Sequence, residues 1–203
     1  MKKVLLTVVA VATMATTSAF AQEGLQFGVK VGANVSNFAT DDDGDLKAKL
    51  GFNVGATVDY GFTENLFLVS GLEITQKGAR VEEKLLGETY KLRYRPLYLQ
   101  IPIHFAYKYD LGSVKLTGEV GPYLAFGIAG KVAPNEGDKE DFFGKDGITE
   151  KRFDAGLGLA IGAEFGHFGA KIGYDYGLVN LYDGEGDGKI HNSNAYLSVG
   201  YRF

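Results

Sequence analysis

The stretch FDAGLGLAIGAEF, residues 153–165, decides the fold. Phe153, Leu157, Leu159, Ile161 and Phe165 recur at every second place, with Ala155 and Ala163 in phase. Asp154, Gly156, Gly158, Ala160, Gly162 and Glu164 fill the places between. A period of two is the signature of a strand whose two faces meet different surroundings. The direction of the apolar face separates a water-soluble barrel from one embedded in lipid.

The same alternation recurs in segments near 25–38, 49–62, 66–80, 90–109, 114–131, 168–182 and 193–203. With 152–165 they make eight strands, and no stretch carries a helical period. Phe62–Asn65, Asp110–Ser113 and Gly166–His167 are tight links carrying turn formers, whereas 39–48, 81–89, 132–151 and 183–192 are long and polar. Short turns at one end and long loops at the other predict an all-β, eight-stranded antiparallel up-and-down transmembrane β-barrel.

A soluble barrel would turn the apolar face inward, and three features oppose that. The polar face is rich in Gly and Ala, which suits a crowded interior better than a solvated surface. Tyr60, Phe62, Tyr107, Tyr109, Phe165, Phe168, Tyr201 and Phe203 gather where the apolar face meets the tight turns, as an interfacial girdle would. The last strand closes on Phe203. The apolar face is therefore expected to look into lipid.

The chain opens MKKVLLTVVAVATMATTSAFAQ. Lys2 and Lys3, an apolar Val4–Ala12 and the small-x-small Ala19-Phe20-Ala21 predict a secretory signal peptide over 1–21, cut before Gln22. Residues 22–203 then form a single barrel domain, placed in the outer membrane of a Gram-negative cell. No cysteine is present, which excludes a lipidated cysteine and disulfides. Without residues 1–21 the chain keeps 19 Lys+Arg against 25 Asp+Glu, a charge of about −6 that argues against a nucleic-acid partner.

Extending the alternation turns Lys30, Asp59, Glu73, Lys77, Lys108, Lys115, Glu119, Lys131, Asp154, Glu164, Lys171, Asp175 and Arg202 inward, with His104. A selective pore would show one sign in a ring. Near-balance predicts ion pairs that plug the lumen, because buried charges must be paired. With strand stagger left aside, Lys30, Glu73, Glu119, Lys171 and Asp175 fall at one depth as a lumen charge network.

No nucleophile elbow, metal-ligand histidine spacing or phosphate loop is present, so no catalytic residue, cofactor or metal is assigned and the chain is not read as an enzyme. The loop DGEGDGKI (183–190) places Asp183, Glu185 and Asp187 like the first half of a calcium loop, but Asn194 stands where the closing acid belongs. It reads as a solvated loop before a calcium site. In KLRYR (91–95), Lys91, Arg93 and Arg95 either meet lipopolysaccharide phosphates or form a solvated loop stem.

The stretches LYLQIPIHFAYKY (97–109), GEVGPYLAFGIAGK (118–131), RFDAGLGLAIGAEF (152–165), IGYDYGLVNLY (172–182) and SVGYRF (198–203) occur in that order. Together they resemble the Bacteroidota outer-membrane β-barrel domain, the PorT-like group. The resemblance implies insertion into the outer membrane and an eight-stranded barrel, and carries no activity. The last strand also resembles the signal read by the barrel-insertion machinery, with Tyr201 and Phe203 as its aromatics and Ser198 where glycine is usual. Pro102 and Pro122 predict bulges or gaps, since proline donates no ladder hydrogen bond.

Two functional classes follow. One is a structural, surface-binding or envelope- and secretion-assembly barrel, in contact with outer-membrane lipid, lipopolysaccharide, the insertion machinery and an unnamed partner at its outer loops. The other is a small gated pore or transport protein.

Overall fold

A computed structural model describes residues 24–40, 46–85, 88–134, 140–144, 149–182 and 188–203, with side chains for all of these except 82–91. Residues 1–21, expected as a signal peptide, Asp183, Glu185 and Asp187 of the acidic loop, and the Lys91 side chain lie outside the described residues.

Ten strands and no helix make up the described residues: β1 (Leu25–Thr40), β2 (Leu46–Gly61), β3 (Leu66–Gln76), β4 (Ala79–Leu85), β5 (Glu88–Asp110), β6 (Lys115–Pro134), β7 (Glu140–Asp141), β8 (Phe153–Phe165), β9 (Phe168–Gly177) and β10 (Ile190–Arg202). All pair antiparallel. The ladder runs β1–β2–β3–β5–β6–β8–β9–β10 and returns to β1, so the sheet closes. Closure leaves no backbone edge within the wall, the condition for strands to stand in lipid. β4 continues β3 past Lys77–Gly78 and pairs with both β2 and β5. β7 is a short addition to the end of β6.

The tight turns share one end of the barrel. In the first, the Thr63 hydroxyl accepts from the amides of Asn65 and Leu66. In the second, the Gly112 amide donates to the Asp110 carboxylate at 2.7 Å, with Gly112 at φ 89°. Gly166, at φ 56°, turns Phe165 back onto Phe168. Both glycines hold the left-handed conformation that a Cβ disfavours.

The faces separate cleanly. In β8, Leu157, Leu159 and Ile161 are 53%, 56% and 65% exposed, whereas Gly158 is buried and Ala160 is 2% exposed. Such a continuous apolar exterior is untenable in water and is the natural wall against lipid. The girdle residues from Tyr60 to Phe203 are all exposed at the tight-turn end.

Three local expectations are corrected. Within the segment expected as a long loop over 81–89, residues 81–85 and 88–89 are strand and pair antiparallel in β4 and β5. The seventh strand stops at Gly177, not at 182, and Leu181 turns inward and is buried. A register shift beside Leu97/Tyr98 leaves Ile128 as an extra residue on β6, which reverses the alternation beyond it. Lys131 therefore points outward and Val132 is buried. Lys115 keeps the inward face, opposite Glu164 across the ladder, and is half-exposed at the turn end beside Asp110. The prolines sit beside breaks in the ladder: pairing between β3 and β5 lapses near Pro102, and between β5 and β6 near Pro122.

Candidate functional site in the barrel lumen

Inward side chains fill the lumen in layers. At the tight-turn end Lys108 lies 2.7 Å from Asp59 and 3.3 Å from Glu164. Arg202 also pairs with Glu164 and approaches Asp59 at 3.9 Å. Thr117 adds a hydroxyl bond to Glu164. Alternation on β2, β5, β8 and β10 brings these groups to one level.

Above this layer Lys171 meets Glu119 at 2.5 Å, and His104 Nδ1 lies 3.6 Å from the other Glu119 oxygen. Lys30 pairs with Glu73. A cavity of about 70 Å³ lies here, lined by Lys30, Asp59, Glu119, Glu164, Lys171 and Arg202 among others. It has room for a few waters.

A neutral layer follows. Asn53 donates to Asn34 at 2.7 Å, Asn34 donates to the Thr75 hydroxyl at 2.8 Å, and Ser198 donates to Asn53 at 3.0 Å. The serine that departs from the usual terminal-strand glycine thus has a specific partner inside the barrel. Asp175 is held by Gln100 Nε2 at 3.0 Å.

Near the long-loop end Asp154 becomes a hub. Its Oδ2 accepts from Asn192 at 2.8 Å, Tyr123 at 3.1 Å and Lys77 at 3.4 Å. Lys77 Nζ also stands 4.2 Å from the centre of the Tyr123 ring. Both Lys77 and Asp154 are fully buried, so desolvation is offset by several partners at once.

An aromatic plug covers that hub. Phe142 and Phe143 dip from the connection after β6 into the barrel mouth and pack with Phe38, Tyr98, Tyr123 and Val132. Their rings meet edge to face at 4.8 Å, and Phe143 meets Tyr98 at 5.7 Å. The Phe142 amide donates to Gly130, the Thr149 amide to Phe142, and the Thr149 hydroxyl to the Leu181 carbonyl. These bonds staple the segment across the opening. Gly127 supplies the space, because a Cβ there would stand 2.3 Å from the Phe143 ring.

Of the five residues expected as one lumen network, the structure brings together Lys30 with Glu73 and Lys171 with Glu119. Asp175 accepts from Gln100, the residue opposite Glu73 on β5. Tyr201 and Phe203 are exposed at the tight-turn rim, 5.6 Å apart, and the Phe203 amide donates to Phe27 on β1. Sequence reasoning missed Phe142 and Phe143, although an adjacent pair of phenylalanines in the acidic run DKEDFFGKDG is itself an anomaly for a solvated loop. Among the described residues no group of three or more metal-ligating side chains converges.

No curated protein matches the chain. Solved structures with a similar course include Ail, the attachment invasion locus protein of Yersinia pestis, in complex with the heparin analogue sucrose octasulfate. It is 18% identical, with 89% of this chain and 99% of that chain covered and a TM-score of 0.45. Neisserial surface protein A is 15% identical, over 89% and 100% of the two chains, at 0.45. A major outer membrane protein from Thermus thermophilus is 15% identical, again over 89% and 100%, at 0.49. The family model for the outer membrane protein beta-barrel domain matches residues 20–183, most of the chain. The chain belongs to the outer membrane protein beta-barrel domain family.

Proposed function

We propose that this outer-membrane barrel is a closed scaffold that presents its long-loop end at the cell surface, rather than a conduit. The observation that carries this reading is the filling of the lumen, by ion pairs from one end and by Phe142 and Phe143 from the other. Eight strands enclose a space that side chains alone fill. Structural support, surface binding and envelope or secretion assembly all use such a body. The test is conductance across a planar bilayer: the refolded protein is expected to give none above background. Steps comparable to a wide porin would replace this reading with the pore.

The finer placement is the PorT-like Bacteroidota group, supported by the order of the strand motifs. Export follows from residues 1–21 acting as a signal peptide cut before Gln22, checked by the mass of the protein recovered from outer membranes. Lys30–Glu73 and Lys171–Glu119 act in this proposal as a network that holds the wall from inside, joined electrostatically to Asp175. Tyr201 and Phe203 act as the signal met by the barrel-insertion machinery, and outer-membrane lipid and lipopolysaccharide surround the wall.

A further inference from the structure

The outer face of the wall carries an arrangement that the plugged lumen does not explain. At the long-loop end Lys47 of β2 stands opposite Arg80 of β4, and Arg80 stands opposite Arg93 of β5. Two residues nearer the membrane Arg95 of β5 stands opposite Lys131 of β6. Tyr94 turns inward onto Phe38 and Phe142, so Arg93 and Arg95 share the outward face. Val132 is buried, so Lys131 shares it too. Like charges directly opposite across a ladder are destabilising, and Arg95 opposite Lys131 is such a pair.

The bulge at Ile128 creates this juxtaposition, since without it Lys131 would face the lumen. Below the cations the same face is apolar. A groove of about 510 Å³ runs from Arg95, Lys131 and Arg152 down over Leu97 and Ile128. Asp141, 2.6 Å from Lys131, is the one acid among the described residues lining it. The Arg95 Nε is buried and has no hydrogen-bond partner. A guanidinium held beside a second cation is a donor set waiting for an anion, and its fork suits phosphate.

We propose that this collar binds a phosphorylated lipid of the outer leaflet, its phosphate on Arg95 and Lys131 and an acyl chain along Leu97 and Ile128. The proposal rests on the outer-membrane reading, which sets the long-loop end at the outer leaflet. Cations directly above an apolar strip on one face match the two ends of such a lipid, whereas a soluble anion would have no use for the strip.

The test refolds the full chain into phosphatidylcholine vesicles doped with diphosphoryl lipid A or with dephosphorylated lipid A. Lipid retained after detergent extraction and affinity purification is then counted. The diphosphoryl form is expected to be retained preferentially. The double substitution Arg95→Glu with Lys131→Glu should lower retention by tenfold or more, on the order of one lost charge-assisted hydrogen bond. Lys115→Glu, at the opposite rim, should leave it unchanged. Heat-modifiable migration on gels shows that each variant is folded. Should Arg95→Glu/Lys131→Glu not fold, Arg95→Gln in the same measurement decides instead, with a loss expected there too. Equal retention by folded wild type and variant, or equal retention of both lipids, overturns the proposal. Inorganic phosphate that displaces the lipid completely would reduce the site to a free-anion site and overturn the lipid assignment. Failure to enter phosphatidylcholine vesicles at all overturns the membrane reading and the proposal together. Insertion without phosphate-dependent retention overturns the proposal alone.

Discussion

The two halves of the lumen are filled by different chemistry. Toward the tight turns Asp59, Lys108, Glu164 and Arg202 form a compact set of ion pairs, with a small cavity on one side and a wider opening of about 340 Å³ at the rim, lined by Lys108, Glu164 and Arg202. Toward the long loops one buried pair, Lys77 with Asp154, sits beneath a cluster of rings. The tight-turn half is built by the strands themselves, since every charge projects from the wall. The long-loop half borrows Phe142 and Phe143 from a connection. A plug built into the wall cannot leave without unfolding it, whereas one carried on a loop depends on a few staples. The first half should govern stability and the second should govern access from outside.

The largest effect is expected in the first half. Glu119 touches Lys171 and His104 and is buried. Glu119→Ala leaves those groups without their acid and should cost about 3–5 kcal/mol, the scale of breaking a buried pair. Unfolding in urea from lipid vesicles measures it. A near-zero effect would mean that the pair is screened by water, and the proposed rigid half would be a wet one.

The wall offers the next test. Leu159 faces lipid at mid-strand, while its neighbour Gly158 faces Asp175 and His104, each with an atom 2.7 Å from where a Cβ would stand. Leu159→Arg should cost about 2–4 kcal/mol in lipid, the penalty for a basic group near the bilayer midplane. The comparison of halves assumes that this outer surface is uniform. A harmless Leu159→Arg beside a severe Gly158→Asp would show that inside and outside have been exchanged.

Much of this contrast was legible in the chain, for a physical reason. Alternation reports directly which face a residue shares, so the lipid wall, the girdle and most lumenal charges follow from a period of two. Partnership across the lumen does not follow, because closing a barrel staggers its strands. A shared depth does not tell that Lys30 meets Glu73, Lys171 meets Glu119 and Asp175 accepts from Gln100. Phase is equally vulnerable to one inserted residue: the bulge at Ile128 carries Lys131 from the expected lumen to the outer face. The ring plug was the least legible part. Its two phenylalanines sit in a polar connection, and only their position against Gly127 and Gly130 gives them a core to enter.

The plug itself can be dislodged with a smaller effect. Gly127→Val places a side chain where the Phe143 ring stands, and overpacking of this kind costs about 1–3 kcal/mol. The ring should be expelled and the outer mouth opened to water-soluble quenchers, read by a fluorophore attached near Tyr98. Conductance should stay at background, because the ion-paired half still fills the barrel. Combining Gly127→Val with Glu119→Ala should then permit ion flow if both halves act in series. Conductance from Gly127→Val alone would mean that the loop-borne half is the real barrier and would promote the gated pore.

The smallest effect on the folded barrel is expected at the rim, outside both halves. Phe203 is about half-exposed and touches Tyr201, while its amide bonds to Phe27 through the backbone whatever the side chain. Phe203→Ala should therefore change the stability of refolded protein by no more than about 0.5 kcal/mol, the usual range for an exposed site. Assembly in cells poses a different demand on the proposed reading, in which an insertion machinery meets β10 before the ladder to β1 exists. On the proposed role of Tyr201 and Phe203, Phe203→Ala should lower the protein recovered from outer membranes far more than it weakens the refolded barrel. Ser198→Gly restores the usual glycine while removing the bond to Asn53, so it should do the reverse, costing stability and leaving assembly intact. Equal membrane yields for wild type and Phe203→Ala, with folding confirmed on gels, would move the assembly signal elsewhere in the chain. Ser198 would then be explained by its partner in the lumen alone.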